Sequence, residues 1–193
     1  MSMEIGETLH LNDRKQWRKW LEKNHRSKKE IWLIFYKKDS GIPFIPYDDA
    51  VEEALCFGWI DSIIKKYDHE GRAQRFTPRN PASNLSELNK ERIRRMIKSG
   101  KMNQAGIDSI QKHLVYKENG SFNLKTFTVA EDIINRLKQD PEVWKNYQRL
   151  PDYYKNIRIG FIETARKRPE IFEKRLNYFM KMTAIDKKFG SIT

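Results

Sequence analysis

Apolar residues recur at helical spacing in some stretches of the chain and run together or alternate in others. The switches between the two regimes divide it into elements. Thr8–Leu11 alternates weakly and predicts a short strand. Trp17, Trp20 and Leu21 fall at helical spacing with Lys and Arg between them. They predict a helix that starts from an N-cap at Asn12 or Asp13 and ends near Asn24–His25. Glu30–Lys37 is short and rich in strand formers, which predicts a mostly buried central strand. Asp39-Ser-Gly reads as a turn, and Pro43 and Pro46 keep the next segment extended.

Tyr47, Val51, Ala54, Leu55 and Gly58 share one face of a predicted helix over Tyr47–Phe57. Asp48, Asp49, Glu52 and Glu53 load its first half, where the helix dipole favours them. Gly58 stops that helix or allows close packing. Trp59–Tyr67 and Arg72–Thr77 read as two strands joined through the turn Asp68–Gly71, a hairpin. A helix follows, with capping-box spacing at Asn84 and Glu87, running to about Ser99 with Gly100 beyond it. A short helix is predicted over Asn103–Leu114. After a polar stretch from Lys117, the segments Val129–Leu137, Glu142–Tyr147, Asp152–Arg166 and Glu170–Met180 read as helices, with Pro141, Pro151 and Pro169 near their starts.

Helix, strand and hairpin in that order give an α+β class: a small, mainly antiparallel sheet with packed helices, followed by an all-helical C-terminal region. The expected division is an α+β domain over 1–116, a linker over 117–126 and a helical domain over 127–193.

Charge changes this picture by its placement. The net charge is +12. Residues 72–101 hold nine Lys and Arg against two acids, and residues 155–188 hold ten against four, while the rest of the chain is close to neutral. Two basic blocks raise the expectation of an anionic partner, nucleic acid among them. Cys56 is the only cysteine, so no intrachain disulfide forms. With no signal segment and no apolar run long enough to cross a bilayer, the expectation is a soluble, cytoplasmic protein without membrane insertion.

The first basic block contains the stretch with the most chemistry, Arg75 to Arg95. It passes from a strand end through a turn pinned by Pro78 and Pro81 into a helix. Arg75, Thr77, Arg79, Ser83 and Ser86 can gather around the free N–H groups of that helix start to make an anion pocket. The same serines serve equally as caps and turn residues. Asn89 and Arg92 fall inside the apolar stripe of Leu85, Leu88, Ile93 and Met96. An inward guanidinium requires an acidic partner or an anionic ligand. Glu53 and Asp61 are the carboxylates available to it, with Trp59 beside Asp61. Arg75, Thr77, Arg79, Ser83, Ser86, Asn89, Arg92, Trp59 and Asp61 form the candidate ligand site, and the bland alternative is an internal network pinning helix to sheet. Arg79→Ala is expected to weaken anion binding with little loss of stability if the pocket reading holds.

No catalytic constellation is apparent. Cys56 reads as a small buried hydrophobe. His10, His25, His69 and His113 lack metal-ligand spacing, so neither a metal nor another cofactor is expected. Trp32, Phe35, Tyr36 and Trp59 read as core rings ahead of a nucleic-acid stacking platform.

Glu53-Ala-Leu-Cys-Phe-Gly-Trp-Ile-Asp61, Arg75-Phe-Thr-Pro-Arg79, Ser83…Ser86…Asn89…Arg92, Gly100…Met102…Ala105-Gly106 and the C-terminal Ala165-Arg-Lys-Arg-Pro-Glu170 together resemble the YdeI/OmpD-associated, or bacteriocin-protection, family. Two positions depart from its pattern. Leu85 stands where the family usually has tryptophan, and Ile171-Phe172 where it usually has threonine and arginine. The resemblance implies a bacterial stress-tolerance role without a defined reaction.

The leading expectation is therefore a non-enzymatic protein that binds a small anionic ligand at Arg75–Arg92. The alternatives are nucleic-acid binding through the basic blocks and an enzyme acting on a small anionic substrate. The sequence assigns no oligomeric state.

Overall fold

A computed structural model describes residues 4–69 and 71–190. The fold is α+β, with a four-stranded sheet, a two-stranded sheet and helices that make up most of the C-terminal region. The chain forms two compact units. One is built from the residues up to Asn84 together with Arg92–Phe122, the other from Leu85–Glu91 together with the residues after Phe122.

In the first unit the strands are β1 (Thr8–Leu9), β2 (Ile31–Tyr36), β3 (Trp59–Lys66) and β4 (Gly71–Pro78), in the order β1-β2-β4-β3. Only the β1–β2 pairing is parallel. The apolar run at Ile31–Tyr36 lies inside the sheet, and all of it but Tyr36 is buried. The β3–β4 hairpin forms as its two patterned strands predict; of its turn, Glu70 lies outside the described residues.

Register decides what each face carries. Phe35 pairs with Arg72 and Arg72 with Lys66, so these three share a row across three strands. One register shift between Asp61 and Ile64 keeps Asp61, Ile64 and Lys66 on that face. Helices α1 (Arg14–Asn24) and α2 (Tyr47–Cys56) also pack there. Trp17 of α1 meets Phe76 edge-on at 5.5 Å, and Tyr47 of α2 meets Phe35 at 6.0 Å. On the other face Trp32, Ile34 and Ala73 are buried beside Ile5. Asp13 caps α1 by accepting from Gln16 N at 2.9 Å.

Helix α2 ends where a side chain would not fit. Gly58 has φ +74°, and a Cβ there would stand 2.7 Å from Ala105 O. The neighbouring short helix α4 (Gln104–Asp108) lies against that end, with Asn103 N donating to Cys56 O at 3.0 Å. The predicted helix over Asn103–Leu114 thus breaks after Asp108 and resumes as a single 3₁₀ turn at Gln111–His113.

Helix α3 runs over Glu87–Lys98, two residues later than the capping box at Asn84 predicts. Ser86 caps it instead, its Oγ accepting from Asn89 N at 3.2 Å. The reason lies upstream: the carbonyls of Ser83 and Asn84 are held by the Arg79 guanidinium, at 3.0 and 2.7 Å, which keeps that backbone out of the helix. At the other end Gly100 takes φ +67° and Lys101 N returns to Met96 O at 2.9 Å. The polar stretch predicted as linker contains the turn of a hairpin between β5 (Leu114–Tyr116) and β6 (Phe122–Leu124).

In the second unit α5 (Glu131–Lys138), α6 (Pro141–Arg149), α7 (Asp152–Glu163) and α8 (Pro169–Ala184) enclose a core of Ile133, Leu137, Tyr147, Ile159, Leu176 and Phe179. Pro141 and Pro169 open α6 and α8 and Pro151 precedes α7, positions where the missing N–H is not needed. Buried Asn146 closes the last turn of α8 by donating to the carbonyls of Thr183 and Ala184 at 3.1 and 3.2 Å. Among the described residues no helix is long and apolar enough to cross a membrane.

Candidate functional site

The structure separates the nine candidate residues into several local arrangements. Arg75 lies on the sheet face away from α1 and α2 and gives both Nε and Nη2 to Glu30 Oε2, at 2.9 and 2.5 Å. Arg75 holds the Glu30 carboxyl below the usual carboxylate range. Thr77 pairs opposite Ile60. Arg79 is buried; among the described residues it has no carboxylate partner, Nη2 serves two carbonyls and Nε has no partner. Desolvation lowers its pKa. Ser83 turns its hydroxyl onto Asn80 O at 2.7 Å. Ser86 and Asn89 meet at the start of α3, as cap and capped N–H.

Trp59 is buried, and its indole N–H donates to His25 O at 3.1 Å. Arg92 is buried and pairs with Asp48, whereas its position had suggested Glu53 or Asp61. Both of those have other partners. Glu53 receives Arg14 Nε at 2.5 Å and Arg18 Nη1 at 2.7 Å, and Asp61 receives the Tyr47 hydroxyl at 2.6 Å. Arg95 bonds Glu52 at 2.8 Å. Helix α2 is acidic at its first turn because three arginines from two other helices, Arg14, Arg92 and Arg95, converge on it.

The partners Tyr47 and Asp48 also belong to something larger. They form part of the wall of an open groove of about 950 Å³ at the end of the sheet face that α2 leaves uncovered. Its rings on that face are Phe35, Phe44 and Tyr47; Tyr36 borders it from the opposite face, where it packs beside Trp32 and Ile34. Phe44 and Tyr47 both meet Phe35 edge-on, at 6.4 and 6.0 Å. Its cations are Lys37, Lys66 and Arg72, and its acids Asp48 and Asp68.

The two signs differ in commitment. Asp48 is bound to Arg92, and Asp68 Oδ1 accepts from Gly71 N at 2.6 Å. Lys37, Lys66 and Arg72 form no ion pair among the described residues; Arg72 lies over the Phe35 ring at 5.8 Å. The groove therefore offers free positive charge beside aromatic surface. None of the nine candidate residues lines it. The missed signal is the hairpin register. Pairing the two patterned strands through the turn at Asp68–Gly71 sets Lys66 opposite Arg72, and pairing β4 with β2 sets Arg72 opposite Phe35.

Cys56 is fully buried, and its thiol is pushed up to about 12, first by burial and then by the nearby Glu53 carboxylate. A thiol so placed is not ionised near neutral pH and cannot act as a nucleophile there. Among the described residues no group of three His, Cys, Asp or Glu side chains is placed to hold a metal ion.

Two sequence families match this chain. Residues 9–109, more than half of it, match a domain of unknown function (DUF8412). Residues 126–185, the helices α5 to α8, match the family described as bacteriocin-protection, YdeI or OmpD-associated. No curated protein and no solved structure matches. The motifs between Glu53 and Gly106 thus fall within the first family, and Ala165–Glu170 within the second.

Proposed function

The chain belongs to the DUF8412 family through residues 9–109 and carries a bacteriocin-protection, YdeI or OmpD-associated domain at residues 126–185, and from that premise we propose that it is a non-catalytic stress-tolerance protein whose first unit binds a small anionic ligand. The carrying observation is the groove's imbalance. Asp48 is paired with Arg92 and Asp68 accepts from a backbone N–H, whereas Lys37, Lys66 and Arg72 form no ion pair among the described residues. In a cleft, cations unmatched by acids raise the local concentration of anions. The Asp48–Arg92 and Tyr47–Asp61 pairs support the inner wall, so the Arg75–Arg92 region acts behind the ligand instead of around it.

The nucleic-acid reading depends on free cations in the two basic blocks. Many are committed: Arg75 to Glu30, Lys90 to Glu87, Arg95 to Glu52, and Arg166 to Asp132 and Glu163. That commitment weighs against an extended phosphate track. The enzyme reading loses its candidate nucleophile with the burial of Cys56.

The test is calorimetric titration of the protein with inorganic phosphate at low ionic strength. The expected result is saturable binding to one site, weakened by salt and abolished in Lys66→Glu/Arg72→Glu. Binding unchanged in that variant would place the anion elsewhere, and no binding would end the proposal.

A further inference from the structure

Resting on the anion-binding reading above, we infer that the groove's ligand is an anion carried on a flat ring, with the chemistry of a nucleoside monophosphate.

The first argument is the row Phe35–Arg72–Lys66. Lys66 and Arg72 are direct cross-strand partners on antiparallel strands. Like charges in that arrangement repel and weaken the sheet. Neither finds a carboxylate among the described residues, so the fold does not relieve the repulsion internally. One dianionic group lying between the two side chains does, with the guanidinium supplying a bidentate contact and the ammonium a compact charge. A monoanion relieves only half of it.

The second argument is what surrounds that charge. Phe44 and Tyr47, the rings that meet Phe35 on this face, are half-buried and line the groove. A site for free inorganic phosphate needs no such surface. Aromatic side chains beside cations are the means by which proteins hold a base and its phosphate together, the base stacking while the phosphate is paired. The volume of about 950 Å³ also exceeds what a bare oxyanion needs and lies within the range of pockets for ring-bearing small molecules.

The experiment titrates the full chain in parallel with adenosine 5′-monophosphate, ribose 5-phosphate and adenosine. The expected order is the monophosphate at least about tenfold tighter than ribose 5-phosphate, with adenosine weaker than the monophosphate by a similar factor. Arg72→Ala lowers affinity for both phosphates. Phe44→Leu leaves ribose 5-phosphate binding in place and narrows the gap between the two. Ribose 5-phosphate binding as tightly as the monophosphate would overturn the ring requirement and leave the anion-binding reading standing. Inorganic phosphate failing to bind along with all three ligands would overturn both. A single-stranded oligonucleotide that gained affinity with length far beyond the monophosphate would overturn the small-ligand class in favour of nucleic acid.

Discussion

The Tyr47 hydroxyl donates to Asp61 Oδ2 at 2.6 Å, joining the first turn of α2 to β3. Burial raises the phenol's pKa, and the hydrogen bond to the Asp61 carboxylate raises it further. The folded protein therefore holds this proton above the ordinary tyrosine value of about 10. The unfolded chain releases it near that value. The contribution to stability is complete below about pH 10 and is lost as pH climbs through the folded pKa. Spectrophotometric titration should show, besides Tyr147, whose pKa burial also raises, the Tyr47 phenol resisting ionisation at pH 11 in the native protein. Tyr47→Phe should remove that phenol from the titration and flatten the alkaline fall in stability. It should also lower stability near neutral pH by about 1–2 kcal/mol, because Asp61 loses its donor.

Gly106 approaches α2 so closely that a Cβ on it would overlap Cys56 O and stand 2.8 Å from Leu55 O. Both atoms are backbone and cannot rotate away. Gly106→Ala should destabilise the first unit by about 1–3 kcal/mol in urea unfolding, the usual penalty for overpacking. A loss below about 0.5 kcal/mol would mean that α4 can move off the end of α2.

Much of this architecture is legible in the residues, and what is not has a physical cause. The strands at Ile31–Tyr36 and Trp59–Lys66 and the helix over Tyr47–Cys56 follow from local pattern, because the face each buries is written in its own apolar spacing. The start of α3 is not local. A guanidinium at Arg79 holds two carbonyls that a capping box would otherwise release to the helix. Partner choice is not local either. Arg92 was bound to have an acid, but which acid depended on Arg14 and Arg18 first taking Glu53 and on Tyr47 taking Asp61. The groove escaped the sequence because its charge is assembled across strands, from residues that look unremarkable one at a time.

Arg79 separates two accounts of the turn before α3. Its guanidinium is buried, desolvated and bound to Ser83 O and Asn84 O. Arg79→Ala should therefore lower stability by about 1–2 kcal/mol, the worth of charge-assisted hydrogen bonds less the relief of desolvation. Arg79→Lys should recover part of that loss, since both bonds leave one nitrogen, Nη2, and an ammonium also carries enough donors for two carbonyls. Phosphate affinity at the groove should be unchanged in both variants. An unaltered unfolding midpoint with weakened phosphate binding would instead make Arg79 a direct ligand contact.

Arg14 concentrates more of the first unit's electrostatics than any other side chain described above. It reaches Glu53 at 2.5 Å, Glu52 at 2.8 Å and Asp49 at 2.9 Å, linking α1 to α2. Burial works against its charge, but the hydrogen bonds it donates to Glu53 and Glu52 outweigh it and raise its pKa. Glu53 is 1% exposed, so losing Arg14 leaves a buried carboxylate with Arg18 as its remaining ion-pair partner. Arg14→Ala should cost about 2–4 kcal/mol by urea unfolding, below the largest values for breaking a buried pair because Arg18 stays. Glu53→Gln should cost less, since it removes the stranded charge along with the bridge. The double variant should then fall well short of the sum of the two, with a coupling of about 1–2 kcal/mol that measures the pair itself. Additive losses would show that Arg14 stabilises α1 through Asp49 and Glu52 alone.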